Sequence, residues 1–123
     1  MRSQAVLVLG DYANKGLIDI LFGIGLAPLV RENIQGVLDK LRHEQFGAIV
    51  VDQKYANPDV LELVLNVQDI DEQATVVVLG KLNDEAIRQT LASQKQTIIV
   101  EDTEDSNTLA GKLEEILTSL EGK

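Results

Sequence analysis

The sequence predicts an α/β fold in which a parallel sheet is covered by helices on both faces. Five short apolar runs, rich in β-branched residues, alternate with segments of helical spacing. Four of the runs are apolar throughout, which is typical of parallel strands buried on both faces. The exception is the second run, followed at once by Arg31 and Glu32, which is predicted to be an edge strand. The runs are AVLVL (5–9), PLV (28–30), AIVV (48–51), TVVVL (75–79) and TIIV (97–100).

The segments between the runs predict five helices, because their apolar residues recur at three- and four-residue intervals. The first, from about Asn14 to Ile24, is apolar on most of its surface and is expected to be well buried. Asn33 is predicted to cap the second helix, and residues 57–59 (Asn-Pro-Asp) to open the third. A fourth helix is expected from Asn83 and a fifth from about Ser106. The fifth is predicted to bury Leu109, Leu113, Ile116, Leu117 and Leu120.

Strand and helix repeated five times predict a three-layer αβα sandwich with right-handed crossovers. For such a (βα)5 chain we expect the flavodoxin-like order 2-1-3-4-5, which places strands one and three side by side at the ligand-binding crevice. The acids at their carboxyl ends are Asp11 and Asp52. Two converging carboxylates can hold a hard divalent ion such as Mg²⁺, which prefers oxygen ligands and keeps several waters.

Composition excludes several classes of function. The 123 residues fit one domain spanning residues 1–123. With 20 acidic and 11 basic residues the net charge is −9, which repels nucleic acid. The absence of cysteine excludes disulfides and favours the cytoplasm. The longest apolar stretch, residues 17–30, contains Asp19 and Pro28 and is too short to cross a membrane. Met1 and a last helix running nearly to Lys123 favour a free-standing protein.

Motifs at the strand ends carry a resemblance that covers the whole chain. In VLVLGD, AIVVDQK, VVVLGK and TIIVED the sequence resembles the receiver domain of bacterial two-component response regulators. That family has an acidic pair after strand one, an Asp ending strand three, a Ser or Thr after strand four and a Lys after strand five. The resemblance implies that Asp52 is the phosphoacceptor position and that Asp11 ligates metal. It also implies that Lys54 donates a backbone carbonyl to the metal.

The chain departs from the family pattern at most of its switch positions. Gly10 stands at the first acid, Gly80 at the hydroxyl position and Glu101 at the lysine position. Asp102 replaces the proline that usually follows, and Ile98 replaces an aromatic residue that moves with activation. A carboxylate in place of the lysine adds a negative charge where the family binds phosphoryl oxygens. Two unit charges about 4 Å apart at an effective dielectric near 20 interact by roughly 4 kcal/mol. Reversing the sign of the charge at this position therefore matters more than removing it.

These departures lead to a hypothesis with open alternatives. We expect a degenerate receiver that is not an enzyme, that requires no cofactor and that acts by protein–protein interaction. The alternative is a working phosphoacceptor receiver that uses Asp52 with Mg²⁺. A trio of Asp11, Asp52 and Glu101 is expected to bind a cation such as Mg²⁺, or else to consist of solvated acids. Lys81 follows Gly80 at the edge of the crevice and is expected to point into water.

The expected partner is a protein: a histidine kinase, an output domain or a second copy forming a homodimer. In receivers the contact face consists of the fourth helix, the fifth strand and the fifth helix, which here run from about Asn83 to Leu120. A remote alternative rests on GDYANKG (residues 10–16), which is similar to the strand-one loop of cobalamin-binding domains. Ala13 stands where that family has its cobalt-ligating histidine.

Overall fold

Five parallel strands form one sheet in the computed structural model, which describes residues 5–11, 15–56, 59–101 and 105–121. Their order is β2-β1-β3-β4-β5, so the predicted topology is confirmed. β2 lies at an edge, as its charged end predicted. The strands are β1 (Ala5–Leu9), β2 (Ala27–Arg31), β3 (Ala48–Asp52), β4 (Thr75–Leu79) and β5 (Thr97–Val100).

Helices cover both faces of the sheet, which confirms the three-layer sandwich. Successive strand residues point to opposite faces, so each strand contributes to two apolar clusters. One cluster joins the sheet to α2, α4 and α5, and the other joins it to α1 and α6. The described helices are α1 (Lys15–Ile24), α2 (Ile34–His43), α3 (Gln53–Ala56), α4 (Val60–Ile70), α5 (Glu85–Ala92) and α6 (Ser106–Glu121).

The predicted cap of α2 is confirmed. Asn33 accepts a hydrogen bond from the backbone N–H of Gly36 at 2.8 Å, which satisfies one of the unpaired donors of the first turn. α5 begins at Glu85, two residues later than the predicted start at Asn83, and Asp84 is its N-cap. The Asp84 carboxylate accepts from the backbone N–H groups of Ala86 at 3.0 Å and Ile87 at 3.2 Å.

The start of α4 differs from the prediction. Asp59 occupies the N-cap position with no side-chain hydrogen bond to the first turn, and the helix begins at Val60. The other two predicted opening residues, Asn57 and Pro58, lie outside the described residues. In α6 the apolar stripe is as expected, with Leu109, Leu113 and Leu117 buried and Ile116 partly buried. The side chain of Leu120 lies outside the described part of the chain.

The prediction that α1 is well buried is wrong for one face of the helix. Leu17 and Leu21 are buried against the sheet, but Phe22 is 61% exposed. A helix in an outer layer has one face on the sheet, so an apolar composition all round leaves the opposite face in solvent. Ile98 is also exposed, at 37%, and it lies in β5, the strand at the other edge of the sheet from β2. Within the described ranges, no helix combines the length and apolar character that a membrane span requires.

Candidate functional site

The carboxyl ends of β1 and β3 bring two acidic side chains to one edge of the sheet. Leu9 pairs with Val51 across these strands, so that Gly10 lies level with Asp52 and Asp11 follows. A β carbon added at Gly10 would lie 4.0 Å from that of Asp52. Because position 10 is a glycine, Asp11 and Asp52 are the two acids at the ends of β1 and β3. We define the carboxyl rim as the strand ends that carry Gly10, Asp11, Asp52, Gly80 and Glu101.

Asp52 is largely enclosed and is contacted by the residue two positions later. Its side chain is 16% exposed, and its Oδ1 accepts a hydrogen bond from the backbone N–H of Lys54 at 3.3 Å. The Nζ of Lys54 lies 3.8 Å from the Oδ2 of Asp52. The sequence prediction gave Lys54 only a metal-binding carbonyl. The structure adds its ammonium group, which supplies a cation to the carboxyl rim.

Asp11 is contacted by Tyr55, which follows Lys54 in α3. The Tyr55 hydroxyl donates to the Oδ2 of Asp11 at 3.4 Å, a long hydrogen bond. Partial burial raises the pKa of Tyr55, and so do the nearby charges of Asp11, Asp52 and Glu32. A negative phenolate is disfavoured among carboxylates, so the hydroxyl keeps its proton and acts as a donor.

Glu101 does not join the other two acids. Its carboxylate forms a short hydrogen bond and ion pair with the Nε of Arg88 on α5. This hydrogen bond and the charge of Glu101 raise the pKa of Arg88, with a further contribution from Glu85. Among the described residues no group of three carboxylate, histidine or cysteine side chains could hold a metal ion. The predicted trio is therefore not assembled, because Arg88 on the flanking helix engages the third carboxylate.

Gly80 occupies a turn that a side chain could not easily enter. Its φ is +115°, a region that residues with a β carbon rarely adopt. A β carbon at this position would also lie 2.8 Å from the Cγ of Gln53. The backbone N–H of Gly80 donates to the carbonyl of Val100 at 2.9 Å, which fixes the turn beside β5. The missing hydroxyl is thus accompanied by a backbone path unsuited to serine or threonine.

A cleft of about 410 Å³ opens at the carboxyl rim. Asp52 forms part of its wall, and Lys54 and Lys81 contribute two basic side chains. Lys81 is exposed, as predicted, yet it borders the cleft. The cleft therefore combines one enclosed carboxylate with two lysines that do not come from β5. Its remaining lining residues are Gly16, Leu17, Ile20, Gln53, Leu79, Gly80 and Leu109.

Sequence reasoning missed the short helix α3, which begins directly after Asp52. The stretch that follows Asp52 contains Lys54 and Tyr55, and its polar composition indicated only the end of a strand. The signal in the sequence is the pair Tyr55-Ala56, two less polar residues after a polar stretch; in α3 Ala56 is buried and Tyr55 is partly buried. Two predicted positions, Ala13 and Asp102, lie outside the described residues.

The predicted interaction face contains an exposed side chain, Ile98, and a second cleft on the opposite face of β5. This cleft, of about 310 Å³, lies between α5 and β5. The exposed Ile98 side chain belongs to the same edge strand. The cleft is lined by Arg88, Gln89, Ala92, Thr97, Ile99 and Glu101.

Solved structures with the same fold include receiver domains. One is the receiver domain of the sensor histidine kinase PA1611 from Pseudomonas aeruginosa PAO1, with a magnesium ion coordinated in its active site cleft. It is 13% identical, with a TM-score of 0.76 over 98% of this chain and 99% of that chain. The CheY-like response regulator receiver domain protein from Methanospirillum hungatei JF-1 is 16% identical, with a TM-score of 0.78 over 99% and 98% of the two chains.

A longer neighbour shares the same fold over part of its length. Full-length FixJ from B. japonicum is 18% identical, with a TM-score of 0.75 over 95% of this chain and 58% of that chain. No protein-family model matches the sequence, and no curated protein matches it significantly. At these identities the likeness defines the fold alone. The chain has the receiver-domain fold of two-component response regulators.

Proposed function

We propose that this chain is a receiver-like signalling domain, not an enzyme, in which Asp52 keeps the phosphoacceptor position but the phosphorylation switch is lost or much weakened. The observation that carries the proposal is the state of the β4 and β5 strand ends. Gly80 has no hydroxyl and follows a backbone path with φ of +115°. Glu101 replaces the lysine expected from the family and is paired with Arg88.

These two positions matter because a phosphoryl group on Asp52 carries its charge on several oxygens. A hydroxyl and a lysine at the strand ends would bind these oxygens by charge-assisted hydrogen bonds. Here Gly80 and Glu101 supply neither group at these two positions, so a phosphoryl group would lack the contacts that draw β4 and β5 into a new arrangement in the family. Function then rests on surfaces that bind another protein, whatever the state of Asp52.

The test is incubation of the protein with acetyl phosphate and Mg²⁺, followed by intact mass spectrometry. We expect no phosphoryl adduct on the wild-type chain. The matched control is Asp52→Asn, which removes the acceptor oxygen with little change in shape. An adduct that forms on the wild-type chain and is absent from Asp52→Asn would contradict the proposal.

One observation favours the alternative of a working phosphoacceptor. Lys54 and Lys81 both line the cleft that contains Asp52, so cations are present although β5 offers none. In this alternative Lys54 or Lys81 would replace the missing lysine. The same mass measurement separates the two functions, and Lys54→Met and Lys81→Met would then identify the lysine that supports adduct formation.

The donor groups at the carboxyl rim fit a bound Mg²⁺. Magnesium in proteins takes one or two carboxylates and completes its octahedral shell with water. Asp11, Asp52 and the backbone carbonyl of Lys54 would hold the ion, while Glu101 is engaged by Arg88. When bound, the ion would offset the charge of a phosphoryl group on Asp52. The proposed interaction function does not require this ion.

We place the interaction surface on α5, β5 and α6, and the partner is a second copy or another signalling protein. Exposed Ile98 and the 310 Å³ cleft on the opposite face of β5 support this location. Light scattering coupled to size-exclusion chromatography over a range of concentrations measures self-association. We expect Ile98→Glu to weaken association and Phe22→Glu, an exposed apolar residue on α1, to leave it unchanged. Equal effects of both variants would contradict this location.

A further inference from the structure

Two consecutive residues of α3 contact both acids of the carboxyl rim. Lys54 contributes a backbone N–H to one oxygen of Asp52 and an ammonium group near the other, at 3.3 Å and 3.8 Å. Tyr55 donates its hydroxyl to Asp11 at 3.4 Å. The Lys54 ammonium lies 5.8 Å from the centre of the Tyr55 ring, so the two side chains also contact each other.

This arrangement addresses an electrostatic problem in the fold. Asp11 and Asp52 stand at the ends of neighbouring strands, where two carboxylates repel each other. An ammonium group and a protonated hydroxyl at the same place offset part of that repulsion. A divalent cation bound between the acids would offset the same charge, so the two arrangements compete for the same carboxylate oxygens.

We infer that Lys54 and Tyr55 act as an internal substitute for a divalent cation and set the metal affinity of the carboxyl rim. A Mg²⁺ ion on Asp52 would lie about 2.1 Å from the oxygen that it binds. An ammonium group 3.8 Å from Oδ2 would then stand close to the ion and repel it. The Lys54 side chain is 67% exposed, so the ion can displace it into solvent. The inference rests on the proposed function only for the location of the metal.

The experiment is titration of the protein with Mg²⁺ while backbone amide resonances near Asp52 are followed. We expect Lys54→Met to bind Mg²⁺ about three- to tenfold more tightly than wild type, the effect of removing one charge near a divalent ion at an exposed site. Lys54→Met keeps the backbone carbonyl. Tyr55→Phe removes only the hydroxyl, and we expect about a twofold gain in affinity.

Lys81→Met is the matched control, because Lys81 lines the same cleft but forms no ion pair with Asp52. It should change the Mg²⁺ affinity less than twofold. In an Asp52→Asn background the effect of Lys54→Met should shrink, since the oxygen for which both cations compete is gone. Dispersed amide spectra of each variant confirm that it is folded.

Three results would overturn the inference. They are an equal gain from Lys54→Met and Lys81→Met, no gain from Lys54→Met, and no Mg²⁺ binding by any of these proteins. The measurement uses no phosphodonor, so it is independent of the test of the proposed function. A phosphoryl adduct on Asp52 would contradict that function and leave the competition between Lys54 and the metal intact.

Discussion

At the β1–β3 half of the carboxyl rim, Asp52 lines a cleft, and Asp11 follows the neighbouring strand. Lys54 of α3 contacts Asp52, and Tyr55 of α3 contacts Asp11. At the β4–β5 half, Gly80 turns with a positive φ and Glu101 pairs with Arg88 on α5. The first half holds its charges at the crevice, where a ligand could meet them. The second half directs its acid to a flanking helix. Asp52 and the residues at the ends of β4 and β5 thus have separate sets of contacts in this fold.

The sharpest way to break this comparison is to restore a hydroxyl in the second half. Gly80→Thr should lower the free energy of unfolding by about 1–3 kcal/mol, because threonine would be held at φ of +115° with a β carbon 2.8 Å from Gln53. Urea denaturation followed by circular dichroism measures the loss.

The control for that variant lies in the first half of the carboxyl rim. Gly10→Ala places a β carbon 3.5 Å from Val8 and 4.0 Å from Asp52, which are ordinary contacts, at a position with no left-handed φ. We expect the free energy of unfolding to change by less than about 1 kcal/mol. A Gly80→Thr protein as stable as Gly10→Ala would mean that the two turns do not differ as described.

A smaller effect is expected from restoring the lysine of the family pattern. Glu101→Lys would place two cations together and remove one of the two carboxylates that pair with Arg88, so the melting temperature should fall. The double variant Arg88→Glu with Glu101→Lys should recover part of the loss, since it exchanges the charges within the pair but places a second carboxylate near Glu85. Thermal melts at low and high salt measure both changes, because an exposed ion pair is screened by salt. No recovery would show that the pair is not the cause.

The smallest expected effect concerns Asp105, an acid outside the carboxyl rim that directly precedes α6. It accepts hydrogen bonds from the Thr108 hydroxyl at 2.9 Å and from the Asn107 backbone at 3.0 Å. These hydrogen bonds lower the pKa of Asp105 below its ordinary value. A lowered folded-state pKa stabilises the fold above the unfolded-state pKa, and this contribution is lost as pH falls through the folded-state value.

The wild-type chain should therefore melt at a higher temperature than Asp105→Ala at neutral pH. The difference should narrow as the pH falls below about 4, where carboxyl groups become protonated. Melting curves of both proteins across this range test the prediction. A constant difference between pH 7 and pH 3 would contradict a charge-dependent role for Asp105.

Most of the fold was predictable because strand burial and helix spacing are local patterns. The β-branched runs located all five described strands, and the acids at the ends of β1 and β3 indicated which edge holds the site. α1 was harder to predict, because a helix that is apolar all round does not indicate which of its faces meets the sheet. Phe22 lies on the face that the sheet leaves in solvent.

The site was less predictable, because its contacts depend on where long side chains turn. Glu101 lies at the predicted strand end, yet its carboxylate meets Arg88, which belongs to another element. Lys54 was assigned by its backbone, whereas its ammonium also reaches Asp52. Strand register determines the position of a residue's backbone. The position of its charged group depends on which side chains of other elements it pairs with.

The turn at Gly80 also bears on how such a chain could change by mutation. A single codon change to a residue with a hydroxyl would place a β carbon against the Gln53 side chain. It would also hold that residue at a φ that suits glycine. A stable replacement of this glycine would require the neighbouring residue and the path of the loop to change together. Substitution at this turn is therefore constrained, because glycine fits the present loop and a residue with a β carbon does not fit without a second change.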